Sequence, residues 1–275
     1  MIQYALYLLT RQRKTWPYIL EAHFFQQSLR PWTIKINLAS TALRFLKRKT
    51  IPQPGTTVMS CLLVNEVFWS LQGEGFFTGR PAVFIRLQGC YVGCPYCDTR
   101  YAQTIDSTLQ YPQSAELFHK KQNTSLYFTI ESNWLAEEIA KRSKHKTLAI
   151  ITGGEPCRQD LTDLTQDLSK RGFYVQIETS GTEAIHCYES TWITLSPKAK
   201  PVLPVNWQKA NEIKLPVRNT QDIARYEQEL SKVPREKISL QPVSCDPQAT
   251  ALCVQVCQER NWRLSLQIHK YIGIL

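Results

Sequence analysis

The sequence has no run of about 18 apolar residues, and this absence excludes a membrane-spanning helix of ordinary length. It also has no internal repeat and no low-complexity tract, so repeat architectures and mostly disordered chains are excluded. Hydrophobic residues make up 43% of the 275 residues and charged residues 20%, which is ordinary for a globular protein. A chain of this length can bury about three quarters of its unfolded surface, so it can form a substantial core.

Acidic residues are nearly absent from residues 1–58, which contain nine basic residues and a single acid, Glu21. The remainder has 24 basic and 22 acidic residues, so most of the net charge of +10 comes from this basic N-terminal extension. The extension ends in a turn-rich stretch, Ile51–Thr57, and regular patterning begins after Met59. We therefore predict a basic extension at 1–58, disordered or not translated in the cell, and a catalytic domain at 59–275.

Three interpretations of the extension remain open. It is a translated upstream segment with the true start at Met59, a targeting segment, or a basic arm that contacts nucleic acid or a protein partner. The rest of the chain is almost neutral, so the charge gives a reason to expect nucleic-acid contact only for this arm.

No convincing secretory signal peptide is present, because the early apolar stretch Ala5–Leu9 is short and its charges follow it rather than precede it. The nine cysteines are an odd number, so they cannot all pair within one chain. Both features favour a reducing, cytoplasmic location in which some of the cysteines bind metal.

Short apolar runs alternate with amphipathic runs from residue 64 onward, a pattern typical of a parallel sheet with helical crossovers. About six parallel strands predict an α/β fold, a partial or open β/α barrel with its chemistry at the carboxyl ends of the strands. Residues 103–131 break the alternation and are predicted to be a polar insertion. The predicted strands are Val83–Leu87, Leu148–Thr152, Phe173–Thr179, Trp192–Leu195, Ile213–Val217, Lys237–Gln241 and Arg263–Ile268. The predicted helices are Ser132–Ser143 with a serine cap, Leu161–Arg171, Thr220–Leu230 and Pro247–Arg260.

The strongest chemical signal is the spacing C-x3-C-x2-C of Cys90, Cys94 and Cys97, just after the predicted strand that ends at Leu87. Three thiolates this close can bind three irons of a 4Fe–4S cluster, and the fourth iron then stays open to a small molecule. A structural zinc site is an alternative, with His119 as a fourth ligand, although its spacing is not typical of one. A disulfide with one spare thiol fits poorly with a reducing location.

Three further cysteines, Cys245, Cys253 and Cys257, suggest an auxiliary cluster as a weaker alternative. Buried cysteine also behaves as a small hydrophobic residue, and this is the simpler interpretation of all cysteines outside the triplet.

The cysteine spacing resembles that of radical S-adenosylmethionine enzymes, and the chain closely resembles one family among them, the 7-carboxy-7-deazaguanine synthases. The resemblance runs from about Val64 to the C-terminus, and it implies the partial barrel of the radical SAM type. The motifs that carry it are Ser70-Leu71-Gln72-Gly73-Glu74-Gly75, Gly79-Arg80-Pro81, Phe84-Ile85-Arg86, Cys97-Asp98-Thr99, Thr152-Gly153-Gly154-Glu155-Pro156, Glu178-Thr179-Ser180-Gly181-Thr182, Ser196-Pro197-Lys198, Gln241-Pro242 and Gln267-Ile268-His269-Lys270.

The resemblance implies a ring contraction of 6-carboxy-5,6,7,8-tetrahydropterin to 7-carboxy-7-deazaguanine with loss of ammonia, in queuosine and 7-deazapurine biosynthesis. It implies three cofactors: a 4Fe–4S cluster on the three cysteines, S-adenosylmethionine on the open iron, and Mg²⁺. In such enzymes an electron cleaves S-adenosylmethionine to methionine and a 5′-deoxyadenosyl radical, which takes a hydrogen atom from the substrate. The resemblance also implies an electron donor such as flavodoxin or ferredoxin, and we expect a homodimer.

Chemistry and resemblance together suggest roles for single residues. Arg86 is a charged residue on an apolar strand, and its planar guanidinium suits a substrate carboxylate; a structural ion pair is the alternative. Glu74 can accept hydrogen bonds from a pterin, or else it is a solvated loop residue. Glu155 can accept from the ammonium group of S-adenosylmethionine, and Gly154 beside it lets the backbone approach a ligand. The other expected contacts are Leu71, Gln72, Gly73, Thr152 and Leu275 with the substrate, and Tyr96, Asp98, Ser196, Pro197, Lys198 and Gln241 with S-adenosylmethionine.

The resemblance places magnesium on Thr99, whose hydroxyl is a hard oxygen ligand; capping of the following turn is the alternative. The sequence departs from the family at two of these positions. Tyr96 stands where tryptophan is frequent, and Leu275 stands where the family usually ends in proline. The second departure leaves the contact between the chain end and the substrate as an open expectation.

Two other functions remain as alternatives. A small radical enzyme such as a glycyl-radical activating enzyme shares the cysteine spacing, but Glu74 and Arg86 suit a small anionic pterin better than a protein substrate. A zinc-containing binding protein with a basic arm is the alternative from a different class.

Overall fold

The computed structural model describes residues 60–111 and 114–274, which belong to one compact unit. The basic extension at 1–58 and the terminal Leu275 lie outside the described residues, so the expectations for them stay predictions. Within the described residues, none of the helices is both long and apolar enough to cross a membrane.

In the described part of the chain, ten strands form one sheet: β1 (Cys61–Leu71), β2 (Pro81–Leu87), β3 (Gln110–Tyr111), β4 (Tyr127–Glu131), β5 (Leu148–Gly153), β6 (Tyr174–Thr179), β7 (Trp192–Leu195), β8 (Glu212–Val217), β9 (Ile238–Pro242) and β10 (Arg263–Leu264). They lie in the order β10-β9-β8-β7-β6-β5-β2-β1-β4-β3. The seven strands from β10 to β2 in this order are all parallel, whereas β1 is antiparallel to both of its neighbours. The two outer strands, β10 and β3, do not pair with each other in the described part of the chain. The sheet is therefore open, and the predicted partial barrel is confirmed.

The α-helices of the described residues pack beside this sheet: α1 (Ser132–Arg142), α2 (Thr162–Lys170), α3 (Pro204–Lys209), α4 (Thr220–Ala224), α5 (Glu227–Leu230), α6 (Pro247–Arg260) and α7 (Ile268–Ile272). The four predicted helices are found, although the third is split into α4 and α5. The predicted serine cap of α1 is wrong. Its N-cap is Glu131, and the hydroxyl of Ser132 donates to the carbonyl of Ser60 (3.0 Å), which fastens the helix to the start of β1.

The predicted insertion at 103–131 is polar mainly on its outer surface. It includes 3-10 turns at Ser107–Leu109 and Ser114–Phe118 and the strand β4, which pairs with β1. Leu117, Phe128 and Ile130 from this segment are almost fully buried in the core beneath β1. The segment therefore extends the sheet and covers an edge that would otherwise be exposed.

Side chains alternate between the two faces of the parallel strands. On β8, Ile213, Leu215 and Val217 pack into the apolar core toward the helices, whereas Lys214 and Pro216 line the concave inner face. On β2 and β5 the inner-face residues Ala82, Leu148 and Ile150 form a small apolar cluster, and the polar inner-face residues Arg86 and Thr152 lie toward the carboxyl ends of these two strands. This arrangement gives the concave side of the sheet the side chains that can bind a polar ligand.

Candidate active site

One cavity of about 270 Å³ lies at the carboxyl ends of the parallel strands. Of the predicted site residues, Pro197 lines a smaller neighbouring cavity of about 140 Å³ instead, and Leu275 lies outside the described residues, so its contact stays a prediction. All the other residues predicted to bind cluster, cofactor, magnesium or substrate line the larger cavity: Leu71, Gln72, Gly73, Glu74, Arg86, Cys90, Cys94, Tyr96, Cys97, Asp98, Thr99, Thr152, Gly154, Glu155, Ser196, Lys198 and Gln241.

The three cysteines lie in a loop after β2 that backbone hydrogen bonds hold in place. The N–H groups of Gly89 and Cys90 donate to the carbonyls of Ala102 (2.8 Å) and Gln103 (2.9 Å). The N–H of Val92 donates to the sulfur of Cys90 over 3.4 Å. Hydrogen bonds to the sulfurs are one of the means by which proteins tune iron–sulfur clusters, so this loop suits such a group.

Within residues 60–111 and 114–274, no three side chains of His, Cys, Asp or Glu converge as ligands of one metal ion. The zinc alternative needs four such ligands on one ion, and its candidate fourth ligand, His119, is exposed in the insertion. In a 4Fe–4S cluster each thiolate binds a different iron, so three sulfurs around a cavity fit the cluster without meeting at one point.

Glu155 is almost fully buried, and its carboxylate already accepts four hydrogen bonds. One oxygen accepts from the hydroxyl of Thr179 (2.6 Å) and the N–H of Cys157 (3.1 Å). The other accepts from the N–H (2.9 Å) and the hydroxyl of Ser180. A ligand ammonium group would have to share this carboxylate with those donors or replace one of them, which the sequence alone does not suggest.

The glycines before Glu155 have a packing reason. A Cβ atom on Gly153, whose φ is +136°, would lie 2.4 Å from the backbone nitrogen of Leu87, and one on Gly154 would lie 2.5 Å from the carbonyl oxygen of Gly89. Protein backbone fills the space that a side chain would need, so these glycines let β5 end against β2 and the cysteine loop. Close approach of a ligand is not required to explain them.

Ser196 provides an independent sign of a ligand. Ser196 lines the cavity and is only 5% exposed. Its hydroxyl has no hydrogen-bond partner among the described residues. A buried hydroxyl without a partner costs about 1–3 kcal/mol, so a polar group bound in the cavity would relieve this cost. Lys198 lies nearby, and burial together with the charge of Lys214 lowers its pKa.

Tyr96 lies between the two cavities. The ammonium of Lys198 is 6.0 Å and the guanidinium carbon of Arg218 is 5.4 Å from its ring centroid. Burial, with a contribution from Cys94, raises the pKa of the Tyr96 hydroxyl to about 12. The ring is therefore a neutral aromatic surface beside the cysteine loop, with cations near its face.

Arg86 lines the cavity from β2, and among the described residues it is paired through one nitrogen only. Its Nε donates to Glu66 Oε1 (2.7 Å), and the two side chains are 14% and 5% exposed. Tyr101 donates its hydroxyl to the same oxygen (2.9 Å). The structural ion pair is thus present, and it leaves the two terminal nitrogens of Arg86 for another partner.

Lys214 joins two carboxylates at the inner face of the sheet. Its ammonium donates to Glu74 and to Glu178 (3.1 Å), and its side chain is 2% exposed. Gln267 donates to the other oxygen of Glu74 (2.9 Å), and Gln72 donates to Glu178 (3.0 Å). Burial raises the pKa of Glu74, but the charge and hydrogen bond of Lys214 outweigh it and hold that pKa at about 2. The alternative of a solvated loop glutamate is therefore wrong.

Thr99 does not cap the turn that follows it. The 3-10 helix Arg100–Ala102 has no side-chain cap from Thr99. Its hydroxyl instead donates to the carbonyl of Gly153 (3.2 Å) and lies 3.8 Å from the sulfur of Cys97. The capping alternative is wrong, and the hydroxyl oxygen keeps its lone pairs for a metal or water.

The C-terminal segment closes one side of the cavity. Ile268 donates its N–H to the carbonyl of Gly73 (3.0 Å), and Lys270 pairs with Asp98 (2.9 Å). A side chain on Gly73 would collide with His269, whose Nδ1 would lie 2.3 Å from its Cβ, so glycine is required there. Burial lowers the pKa of His269 despite the opposing charge of Glu74.

No protein-family model matches the chain. Three curated relatives are each named 7-carboxy-7-deazaguanine synthase. The protein of Buchnera aphidicola subsp. Schizaphis graminum is 43% identical over 217 residues, covering 77% of this chain and 98% of that protein. The protein of Escherichia coli strain K12 is 43% identical over 223 residues, covering 77% of this chain and 98% of that protein. The protein of Bacteroides thetaiotaomicron is 39% identical over 214 residues, covering 77% of this chain and 97% of that protein. The crystal structure of QueE from Escherichia coli aligns with a TM-score of 0.71 at 41% identity, covering 76% of this chain and 95% of that one.

The chain belongs to the 7-carboxy-7-deazaguanine synthase family. This result confirms the resemblance that the motifs predict.

Sequence reasoning about this synthase-family chain missed the inner-face residues Glu178 and Lys214 as site residues, although both line the cavity. A signal for them was available. Lys214 is the single cation in the apolar run Ile213–Val217, the same feature that drew attention to Arg86. Gln267, in the motif Gln267-Ile268-His269-Lys270, also lines the cavity.

The idea of an auxiliary cluster in this family member finds no support. Cys253 and Cys257 are on the buried face of α6 and pack with Leu240 in the core. The sulfur of Cys257 donates to the carbonyl of Arg263 (3.2 Å). These cysteines act as small core residues, as the simpler interpretation predicts.

Proposed function

We propose that this chain is a 7-carboxy-7-deazaguanine synthase that contracts 6-carboxy-5,6,7,8-tetrahydropterin to 7-carboxy-7-deazaguanine with loss of ammonia, in queuosine or 7-deazapurine biosynthesis. The observation that carries the proposal is the 43% identity to synthases over nearly their whole length. The cavity supports it, because three cysteines, an arginine and four carboxylates line it. The reaction class is that of a radical S-adenosylmethionine carbon–nitrogen lyase.

The cysteine loop and the Ser196 side of the cavity fit the two main cofactors. We propose that Cys90, Cys94 and Cys97 hold a 4Fe–4S cluster, and that Ser196 and Lys198 are among the residues that hold S-adenosylmethionine. When bound, this pair supplies the one-electron chemistry that starts hydrogen-atom removal from the substrate. The remaining proposed contacts to S-adenosylmethionine are Tyr96, Asp98, Gly154, Glu155, Pro197 and Gln241.

On the substrate side, the free nitrogens of Arg86 suit the substrate carboxylate, because two parallel donors can bind both of its oxygens. Glu74 stays ionised beside Lys214, so it can accept hydrogen bonds from the N–H and amino groups of a pterin. Thr99 is the proposed magnesium ligand, with water or substrate oxygens completing the shell. Leu71, Gln72, Gly73 and Thr152 are proposed to contact the ring, and the contact of Leu275 remains a prediction.

The direct test is anaerobic reconstitution with iron and sulfide, followed by turnover with S-adenosylmethionine, a reductant, Mg²⁺ and 6-carboxy-5,6,7,8-tetrahydropterin. We expect mass spectrometry to detect 7-carboxy-7-deazaguanine. Cleavage of S-adenosylmethionine with the pterin left unchanged would contradict the proposed substrate and would favour the activating-enzyme alternative.

The reaction needs a one-electron donor, and the surface around the cysteine loop suits an acidic one such as a flavodoxin or ferredoxin. Five cations form what we call the cation rim: Arg100, Arg158, Lys200, Arg218 and Arg225. Lys200 lies 4.0 Å from the ring of Tyr91 in the cysteine loop, and Arg100 donates to Pro95 within it (2.9 Å). Of the five, only Arg218 has a carboxylate partner in the part of the chain that the structure describes.

Charge reversal of the rim, Lys200→Glu with Arg225→Glu, should lower turnover driven by an acidic flavodoxin about tenfold at low salt, because steering by opposite charges is lost. Turnover with dithionite should be unchanged. The matched control is Lys232→Glu with Arg235→Glu, two exposed cations before the start of β9 and thus at the other end of the sheet. An equal loss of turnover with flavodoxin and with dithionite would contradict a docking role for the rim. So would an equal loss of flavodoxin-driven turnover in the control variant.

We propose that the basic extension at 1–58 takes no part in this reaction and that 59–275 is the catalytic domain. About a quarter of the chain lies outside the match with the relatives. Removal of residues 1–58 should therefore leave kcat and KM within about twofold of the full chain in the same assay. A large loss of activity would contradict this division. We further propose that the enzyme acts in the cytoplasm as a homodimer, which size measurement in solution would check.

A further inference from the structure

The insertion at 103–131 has no part in the function proposed above, yet it packs against β1, and β1 carries the ion-pair partner of Arg86. A polar network that is largely buried connects the two. It starts at an irregularity in the pairing of β1 with β2.

The register of these strands shifts between Val64 and Glu66, so Asn65 is an extra residue, a β-bulge. Side chains alternate along a strand, and opposite residues of an antiparallel pair share a face. Because of the bulge, Glu66 stands directly opposite Arg86 and on the same face. The bulge therefore brings the carboxylate to the guanidinium.

The insertion holds the bulged residue on both sides of its amide. The Nδ2 of Asn65, a fully buried residue, donates to the carbonyls of Thr124 (3.0 Å) and Leu126 (3.2 Å). Its Oδ1 accepts from the ammonium of Lys120 (2.7 Å). The same Nδ2 also donates to Oε1 of Gln88 (2.7 Å), just after β2. Three of these four partners belong to the insertion, so this segment contributes most of the bonds that hold the extra residue.

Glu66 in turn binds Arg86 on the Nε side of its guanidinium. Its Oε1 accepts from Arg86 Nε (2.7 Å) and from the hydroxyl of Tyr101 (2.9 Å), and its Oε2 lies 3.4 Å from the N–H of Asn123 in the insertion. Within the described residues, the terminal nitrogens of Arg86 donate to no protein group. The guanidinium is thus fixed through Nε, and its two parallel donors stay free.

We propose that Glu66 is a positioning residue for Arg86, and that the insertion locks the bulge that places it. The insertion thereby controls how tightly the carboxylate of the substrate is bound. This inference rests on the proposed function, since it takes Arg86 as the group that binds that carboxylate. A purely structural role would weaken binding of every ligand, whereas a positioning role weakens only ligands that carry the carboxylate.

The test compares two ligands on the reconstituted enzyme with S-adenosylmethionine and without reductant, so that no turnover occurs. One is 6-carboxy-5,6,7,8-tetrahydropterin, and the other is tetrahydropterin, which lacks the carboxylate. Glu66→Gln should raise the Kd of the carboxylated ligand about tenfold, because the neutral amide oxygen holds Nε more weakly than the charged carboxylate does. Tyr101→Phe, a milder variant, should raise it about threefold. Tetrahydropterin should bind all variants within about twofold of the unmodified enzyme.

Two reference variants distinguish a failure of the positioning role from a failure of the proposed function. Arg86→Ala should raise the Kd of the carboxylated ligand at least about tenfold; unchanged binding would sink the role of Arg86 in the proposed function itself. Glu116→Gln, an exposed glutamate of the same insertion, should change neither Kd. Suppose that Arg86→Ala behaves as expected. If Glu66→Gln then weakens the binding of both ligands equally, or changes the binding of neither ligand, the positioning role is overturned.

Discussion

Replacement of Cys94 by alanine should give a folded protein that binds no 4Fe–4S cluster and has no detectable turnover. Cys94 lines the cavity between the other two cysteines of the loop, and it is half-buried rather than part of the apolar core. Its loss leaves two thiolates, and a cluster then has two irons without a protein ligand. Iron and sulfide content, with absorbance after anaerobic reconstitution, measures the effect without reference to activity.

The matched control is Cys61→Ala, which removes an exposed cysteine at the start of β1, outside the cavity. We expect this variant to take up as much iron as the unmodified protein. A second control, Cys257→Ala, removes a core cysteine and should lower stability without changing iron content per folded molecule. Full iron loading and activity in Cys94→Ala would refute the assignment of the cluster to this loop.

The parallel strands could be predicted from the sequence because strands buried on both faces appear as short apolar runs. β1 was harder to predict, because its bulge interrupts the alternation and polar residues such as Asn65 and Ser70 occur along it. α3 and α7 have six and five residues, too short to show a helical period. Their positions are decided by tertiary packing rather than by local pattern.

The candidate site was predictable where its residues lie in one motif, as the cysteines and Thr99 do. It was not predictable where partners are distant. Glu74 and Lys214 are separated by 140 positions, and only the tertiary fold brings them together. The same holds for Glu155, whose carboxylate is occupied by groups on the next strand. A single sequence names the residues that carry charge but does not show which charges meet.

Lys214→Met should lower stability strongly at neutral pH and should also reduce catalysis. The ammonium is almost fully buried between Glu74 and Glu178. Removing one partner of a buried pair leaves the other charges uncompensated and typically costs about 3–5 kcal/mol. For a domain of this size that corresponds to a fall in Tm of roughly 10 °C, which differential scanning of the anaerobic enzyme can measure. Lys214→Arg, which keeps a charge, should lose less.

The loss of stability in Lys214→Met should depend on pH in a definite direction. In the unmodified protein Lys214 holds the pKa of Glu74 at about 2 instead of 4.5, so the ionised form stabilises the fold above pH 4.5, and this stability is lost as the pH falls toward 2. Without Lys214, burial is the dominant effect and raises the pKa of Glu74. Protonation of Glu74 at low pH then removes an unpaired buried charge and stabilises the variant. The difference in Tm between variant and parent should therefore shrink as the pH is lowered from 7 to about 4. A constant or widening difference would contradict the role of Lys214 as the counter-charge. The triple variant Lys214→Met, Glu74→Gln, Glu178→Gln should recover much of the Tm at pH 7, because stability needs only that the charges be removed together. It should not recover the activity, because the proposed pterin contact needs the carboxylate of Glu74.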